Sequence, residues 1–91
     1  MIELIVGLGN PGSEYTLTRH NAGYWFVDAL CEQTKHAFSL ESKFKGFVAN
    51  IDFAGVSCRI LKPNTFMNRS GQAVNAIAQF FKIPPEKILV I

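Results

Sequence analysis

Two polar stretches hold most of the side chains in this sequence that could do chemistry. The first is Gly7-Leu8-Gly9-Asn10-Pro11-Gly12, followed by Tyr15 and then Arg19-His20-Asn21. The second is Lys62-Pro63-Asn64-Thr65-Phe66-Met67-Asn68-Arg69-Ser70-Gly71. Together they supply one imidazole and several side-chain amides. An imidazole titrates close to neutrality, so it can accept a proton from water there. A side-chain amide both donates and accepts hydrogen bonds, which suits a carbonyl or a developing oxyanion. The combination points to acyl-ester chemistry without a metal. Only two histidines are present, His20 and His36, far apart and without clustered carboxylates, which argues against a metal site. No G-x-S-x-G elbow is present to supply a nucleophilic serine.

The elements around these stretches must bring them together. Ile2 to Val6 is a short apolar run that reads as a buried strand. Ala22, Trp25, Phe26, Ala29 and Leu30 recur at helical spacing and predict a helix from about 20 to 34 with that face inward and Thr18 as N-cap. Residues 35–44 show no clean period and read as a loop, with His36 on the surface. Lys45 to Phe53 and Val56 to Lys62 predict two strands joined by a tight hairpin at Ala54-Gly55. A second helical stripe, Ala73, Val74, Ile77, Phe80 and Phe81, follows, with Ser70 as candidate N-cap and Pro84-Pro85 as the stop. Lys87 to Ile91 starts another apolar strand. The expected fold is α/β: a mixed, twisted sheet with flanking helices in the order β-α-β-β-α-β. Each polar stretch follows a strand and leads into a helix, so both could meet at one sheet edge.

The 91 residues allow one domain, residues 1–91, with a modest core. A hydrophobic fraction of 48% against 18% charged residues argues against disorder. Net charge of +2 permits an anionic partner without requiring one. Cys31 falls on a helical face and Cys58 in a strand, which suggests reduced, structural thiols and a reducing cytoplasm. Neither a signal peptide nor a membrane span is evident, so a cytoplasmic location is expected. Because the order ends inside an apolar strand that needs cover on both faces, the chain reads as a fragment. A small sheet closed by that last strand is the simpler alternative.

The run Gly7-x-Gly9-x-x-Gly12 also fits a dinucleotide-binding pattern. That pattern needs a helix opening at the third glycine, whereas residues 13–18 lack helical periodicity. No nucleotide cofactor is expected. Asn10 could be a polar site residue or simply the Asn of an Asn-Pro-Gly turn. His20, at a helix start, would be kept neutral and basic by the helix dipole, or could serve as a capping or surface residue.

Loop and histidine together resemble the bacterial-type peptidyl-tRNA hydrolase family. The likeness rests on Gly7-Leu8-Gly9-Asn10-Pro11-Gly12, Tyr15, Arg19-His20-Asn21-Ala22-Gly23, Lys62-Pro63-Asn64-Thr65-Phe66-Met67-Asn68 and Ser70-Gly71. It runs the length of the chain but matches only the family's N-terminal half. One departure is Phe66, where a tyrosine is common. The resemblance implies hydrolysis of the ester between peptide and tRNA, recycling tRNA from aborted translation, without a cofactor. His20 would be the general base on water, with Asn10 and Asn68 as catalytic amides. Asn10, Tyr15, Asn21, Phe66, Met67 and Asn68 would contact peptidyl-tRNA, although packing in the core is the competing role for Phe66 and Met67. The family's aspartate partner of the histidine follows the strand that matches Lys87–Ile91. This chain alone is therefore expected to be inactive or nearly so and prone to self-association, the full-length protein monomeric. A non-catalytic, splicing-factor-like RNA-binding relative is the alternative, and intact His20, Asn10 and Asn68 count against it.

Overall fold

In the computed structural model, residues 1–9, 21–53, 55–64 and 69–91 are described. The elements are β1 (Leu4–Val6), α1 (Ala22–Gln33), β2 (Ser39–Glu41), β3 (Gly46–Phe53), β4 (Val56–Pro63), α2 (Ser70–Phe81) and β5 (Ile88–Val90). Single 3-10 turns at Ser42–Phe44 and Pro85–Lys87 lead into β3 and β5. The five strands form one mixed sheet in the order β2-β3-β4-β1-β5. β2, β3 and β4 are antiparallel, whereas β4, β1 and β5 run parallel.

β1 is central, with β4 on one side and β5 on the other, and it is covered on both faces. A strand in that position must be apolar throughout, as Leu4-Ile5-Val6 is. Leu4 and Val6 face one layer with Leu61, Ala73, Ile77 and Ile83. Ile5 packs on the opposite layer with Val27, Cys31, Ala49, Ile51 and Ile60. α2 thus covers one face of the sheet and α1 the other. Leu4, Val6, Ile60 and Leu61 are fully buried, each contributing about 1.5–3 kcal/mol of transfer free energy.

Four local expectations need correction. Residues 35–44 are not all loop: Ser39–Glu41 pairs antiparallel with β3, Ser39 opposite Val48 and Glu41 opposite Gly46. None of the three residues is buried, so this edge strand is held by its backbone ladder and leaves no hydrophobic signature. His36 in the same stretch is half-buried rather than on the surface.

The second correction concerns α1. Its buried residues are Gly23, Val27 and Cys31, while Trp25 and Phe26 are 45% and 46% exposed. Ala22 and Ala29 are also exposed, and of the expected stripe only Leu30 packs inward in part. The helix is apolar on both sides, and its approach to the sheet selects the slimmer side. A Cβ on Gly23 would lie 2.4 Å from the Leu8 nitrogen and 2.5 Å from its carbonyl oxygen, and one on Gly7 would lie 2.4 Å from the Gly23 oxygen. Backbones this close leave no room for an aromatic face.

Third, the helix starts shift in opposite directions, α1 beginning later than expected and α2 one residue earlier. Asn21 occupies the N-cap position of α1 instead of Thr18, and Arg69 that of α2 instead of Ser70, which is the first helical residue. Fourth, α2 stops before Pro84. Lys82 adopts a left-handed conformation (φ 56), with Lys82 N–H donating to Gln79 O at 3.3 Å and Ile83 N–H to Ala78 O at 2.8 Å. This is a Schellman arrangement, with buried Ile83 completing it. α1 ends the same way around Lys35 (φ 60), through His36 N–H to Cys31 O at 2.9 Å.

Candidate active site at a sheet switch point

The chain leaving β1 enters α1 on one face of the sheet, and the chain leaving β4 enters α2 on the other. β1 and β4 are adjacent and parallel, with Val6 in register with Leu61. Neighbouring parallel strands whose connections depart to opposite faces create a crevice beyond their carboxyl ends, the usual ligand position in an open α/β sheet. Both polar stretches begin at this edge: Gly7 N–H donates to Leu61 O at 2.9 Å. Neighbouring strands are about 4.8 Å apart, so the stretch beginning at Gly7 and the one beginning at Asn64 start as neighbours.

The third strand of the parallel set ends here as well. Ile91 N–H donates to Val6 O at 2.9 Å, and Leu8 N–H to Ile91 O at 2.9 Å. Residues 7–9, 63–64 and 91 therefore form one rim. Beside it, an apolar groove of about 780 Å³ runs between α2 and β5, from Leu8 and Ser70 past Val74 and Ala78 to Ile83 and Val90.

Tyr24, in the first turn of α1, ties this rim together. Its N–H donates to Leu8 O at 3.1 Å, and its hydroxyl donates to the carbonyl of Pro63 at the end of β4. A Cβ on Gly9 would fall 2.7 Å from the Tyr24 ring, so the glycine lets the ring lie against the chain as it leaves β1. Burial, reinforced by the Asp28 carboxylate, holds the phenol above its ordinary pKa of 10.0 and keeps it a donor. Asp28, one turn later, pairs with Lys62 Nζ at 2.8 Å. That ammonium is also 5.0 Å from the Phe38 ring centroid, 5.3 Å from Phe47 and 5.5 Å from Tyr24. Sequence reasoning missed Tyr24, Asp28 and this ammonium–aromatic cluster. The signal was the Tyr-x-x-x-Asp spacing, which puts both side chains on one helix face.

Of the sequence-predicted site residues, Asn21 is described: it is 4% exposed, at the N-cap of α1. Asn10, Tyr15, His20, Phe66, Met67 and Asn68 lie outside the described residues. Among the described residues, no group of three or more His, Cys, Asp or Glu side chains could hold a metal ion. Cys31 and Cys58 are free thiols on the α1 side of the sheet, and burial is the leading cause pushing both above their ordinary pKa of 9.0.

A helix-sheet-helix layering, with two polar stretches starting at one switch point, defines an α/β protein with a candidate site at the carboxyl edge of a parallel strand set. Comparison with known proteins makes this specific. The family model described as peptidyl-tRNA hydrolase matches residues 4–91, and the chain belongs to that family. It is 58% identical over 90 residues to the peptidyl-tRNA hydrolase of Neisseria meningitidis serogroup A, covering 99% of this chain and 47% of the relative. The Bordetella avium peptidyl-tRNA hydrolase is 54% identical over 90 residues, with 44% of its length covered. The crystal structure of peptidyl-tRNA hydrolase from Acinetobacter baumannii superimposes with a TM-score of 0.94 at 49% identity, over 98% of this chain and 45% of that one. The chain thus spans about half the length of the curated relatives it matches.

Proposed function

We propose that a polypeptide carrying this sequence at the length of its relatives hydrolyses the ester bond between peptide and tRNA. The observation that carries this reading is the adjacency of β1 and β4, which starts the two motif loops side by side at a switch-point crevice. Family membership and relatives of 54–58% identity that bear the name peptidyl-tRNA hydrolase support it. In this reading His20 takes a proton from water as the water attacks the ester carbonyl. Asn10 and Asn68 donate to the carbonyl oxygen as it gains charge, and Tyr15, Asn21, Phe66 and Met67 contact the substrate. Collapse of the tetrahedral intermediate, with a proton returned to the ribose oxygen, releases peptide acid and tRNA.

The same reading predicts that the 91-residue chain alone is inactive or nearly so. By family resemblance, the aspartate that orients the histidine follows the strand matching β5. Ile91, hydrogen-bonded to Val6 and Leu8, lies on the same rim as the loops. A carboxylate supplied just beyond it would enter the crevice. A cytoplasmic setting and a monomeric full-length protein belong to the same proposal. No helix among the described residues is long and apolar enough to cross a membrane.

The test is hydrolysis of N-acetyl-aminoacyl-tRNA. The polypeptide at family length should cleave it, and His20→Ala should lose roughly 10²–10⁴-fold in kcat. The 91-residue chain should show little or no turnover. Absence of cleavage at family length would sink the functional reading, and an active His20→Ala variant would sink the role of the base.

A further inference from the structure

We propose that Tyr24 is a positioning residue that fixes the two motif loops relative to each other. The inference rests on the functional reading above, because Asn10 and His20 belong to one loop and Asn68 to the other. It assigns the coupling between them to a side chain outside both.

Three contacts converge on this residue. Its N–H holds the carbonyl of Leu8. Its ring fills the space that a Cβ on Gly9 would need. Its hydroxyl holds the carbonyl of Pro63, 39 positions away in sequence. The first two fix the exit from β1 and the third fixes the exit from β4. The sheet alone does not do this work. Its ladder between β1 and β4 stops at Val6 and Leu61, with one further bond from Gly7 N–H to Leu61 O. Beyond that level the Tyr24 hydroxyl is a direct side-chain brace between the two chain segments.

The ring is itself constrained. Gly9 lies against it, and the Lys62 ammonium, anchored by Asp28, is 5.5 Å from its centroid. Pro63 is buried and its residue type has no N–H, so its carbonyl is its only backbone hydrogen-bonding group. Asn64, next in line, donates its N–H to Lys45 O at 2.8 Å. Releasing Pro63 would free the start of the second loop on the Tyr24 side and loosen the neighbouring Asn64 bond without breaking the β4 ladder. The expected consequence is a small shift between base and amides, not loss of the fold. Reactions that depend on alignment respond steeply to such shifts.

The experiment is Tyr24→Phe in the polypeptide at family length, which deletes the hydroxyl and keeps the ring against Gly9. Cleavage of N-acetyl-aminoacyl-tRNA should show kcat lowered by roughly three- to tenfold, the worth of one hydrogen bond, with KM within about twofold. The acidic limb of the kcat–pH profile should stay in place, since the base itself is untouched. Backbone amide exchange at Gly9 and Asn64 should quicken. Gly9→Ala, which drives a methyl into the ring, should lower kcat as well, and Tyr24→Ala in the same molecule should return part of that loss. If wild type cleaves and Tyr24→Phe matches it in kcat, or changes only KM or melting temperature, the hydroxyl serves the fold alone and the proposal is overturned. If wild type does not cleave, the functional reading fails by itself. Unchanged amide exchange at Gly9 and Asn64 in Tyr24→Phe then refutes the brace without reference to activity.

Discussion

Gly23 and Gly71 are both the second residue of their helices, yet the same substitution should act on them in opposite directions. In α1, a methyl at position 23 would meet the Leu8 nitrogen at 2.4 Å, the Leu8 oxygen at 2.5 Å and the Ile91 oxygen at 2.4 Å. All three are backbone atoms, so no rotamer change can make room. To reach van der Waals contact near 3.4 Å, the first turn of α1 must retreat by roughly 1 Å from the rim. Overpacking of this kind costs about 1–3 kcal/mol, against which the better helix propensity of alanine returns up to about 1 kcal/mol. Gly23→Ala should therefore be destabilising by about 1–2 kcal/mol. At position 71 nothing lies within 4 Å of the added carbon, and only the propensity gain remains. Gly71→Ala should be neutral to stabilising, by up to about 1 kcal/mol. Urea unfolding followed by circular dichroism gives both numbers from shifts in midpoint at constant slope. A Gly23→Ala variant as stable as Gly71→Ala would refute the close crossing of α1 over the exit from β1.

Three further outcomes are expected. Lys35 and Lys82 hold left-handed backbone at the ends of the two helices, so Lys35→Gly and Lys82→Gly should each raise stability by up to about 1 kcal/mol, read as a higher melting temperature. Burial raises the pKa of Cys31, Cys58 and Tyr24 above 9.0, 9.0 and 10.0. The folded state then holds these protons more tightly than the unfolded one. Their contribution is intact below those ordinary values and is lost as pH rises through the raised ones, so melting temperature should decline above about pH 9, and Cys31→Ser with Cys58→Ser should flatten that decline. Self-association of the 91-residue chain should appear as a concentration-dependent mass in light scattering, since Trp25, Phe26, Leu89 and Val90 are all at least 43% exposed. A constant monomer mass up to high micromolar concentration would count against it.

What the sequence made legible was whatever left a mark in side-chain pattern. β1 showed as an unbroken apolar run because both its faces are covered. β3 and β4 showed because the Ala54-Gly55 junction separates two long strand patterns, and the register does pair Phe53 with Val56. β2 left no mark, because none of its residues is buried. The periodicity of α1 was real, but it could not say which of two apolar sides faces the sheet. That choice was made by backbone contact at Gly7 and Gly23, a constraint set by what is missing from a residue. For the candidate site, motif spacing indicated which loops should meet, and the strand order places the starts of both loops at one edge. Tyr24 stayed hidden because its partner Pro63 is remote in sequence and offers only a carbonyl.

The position of β1 also sets an order of events. It precedes every other described element in sequence, yet Leu4 pairs with Arg59 on one side and Ile88 on the other. At about 5–20 residues per second, the strand would leave the ribosome several seconds before its second neighbour exists. The contacts that define the centre of the sheet are thus the slowest in loop-closure terms. Until the later elements follow, α1 is the described element available to shelter Ile5. The glycine crossing at the strand's exit therefore has a second role, as an early local contact for a strand still waiting for its sheet.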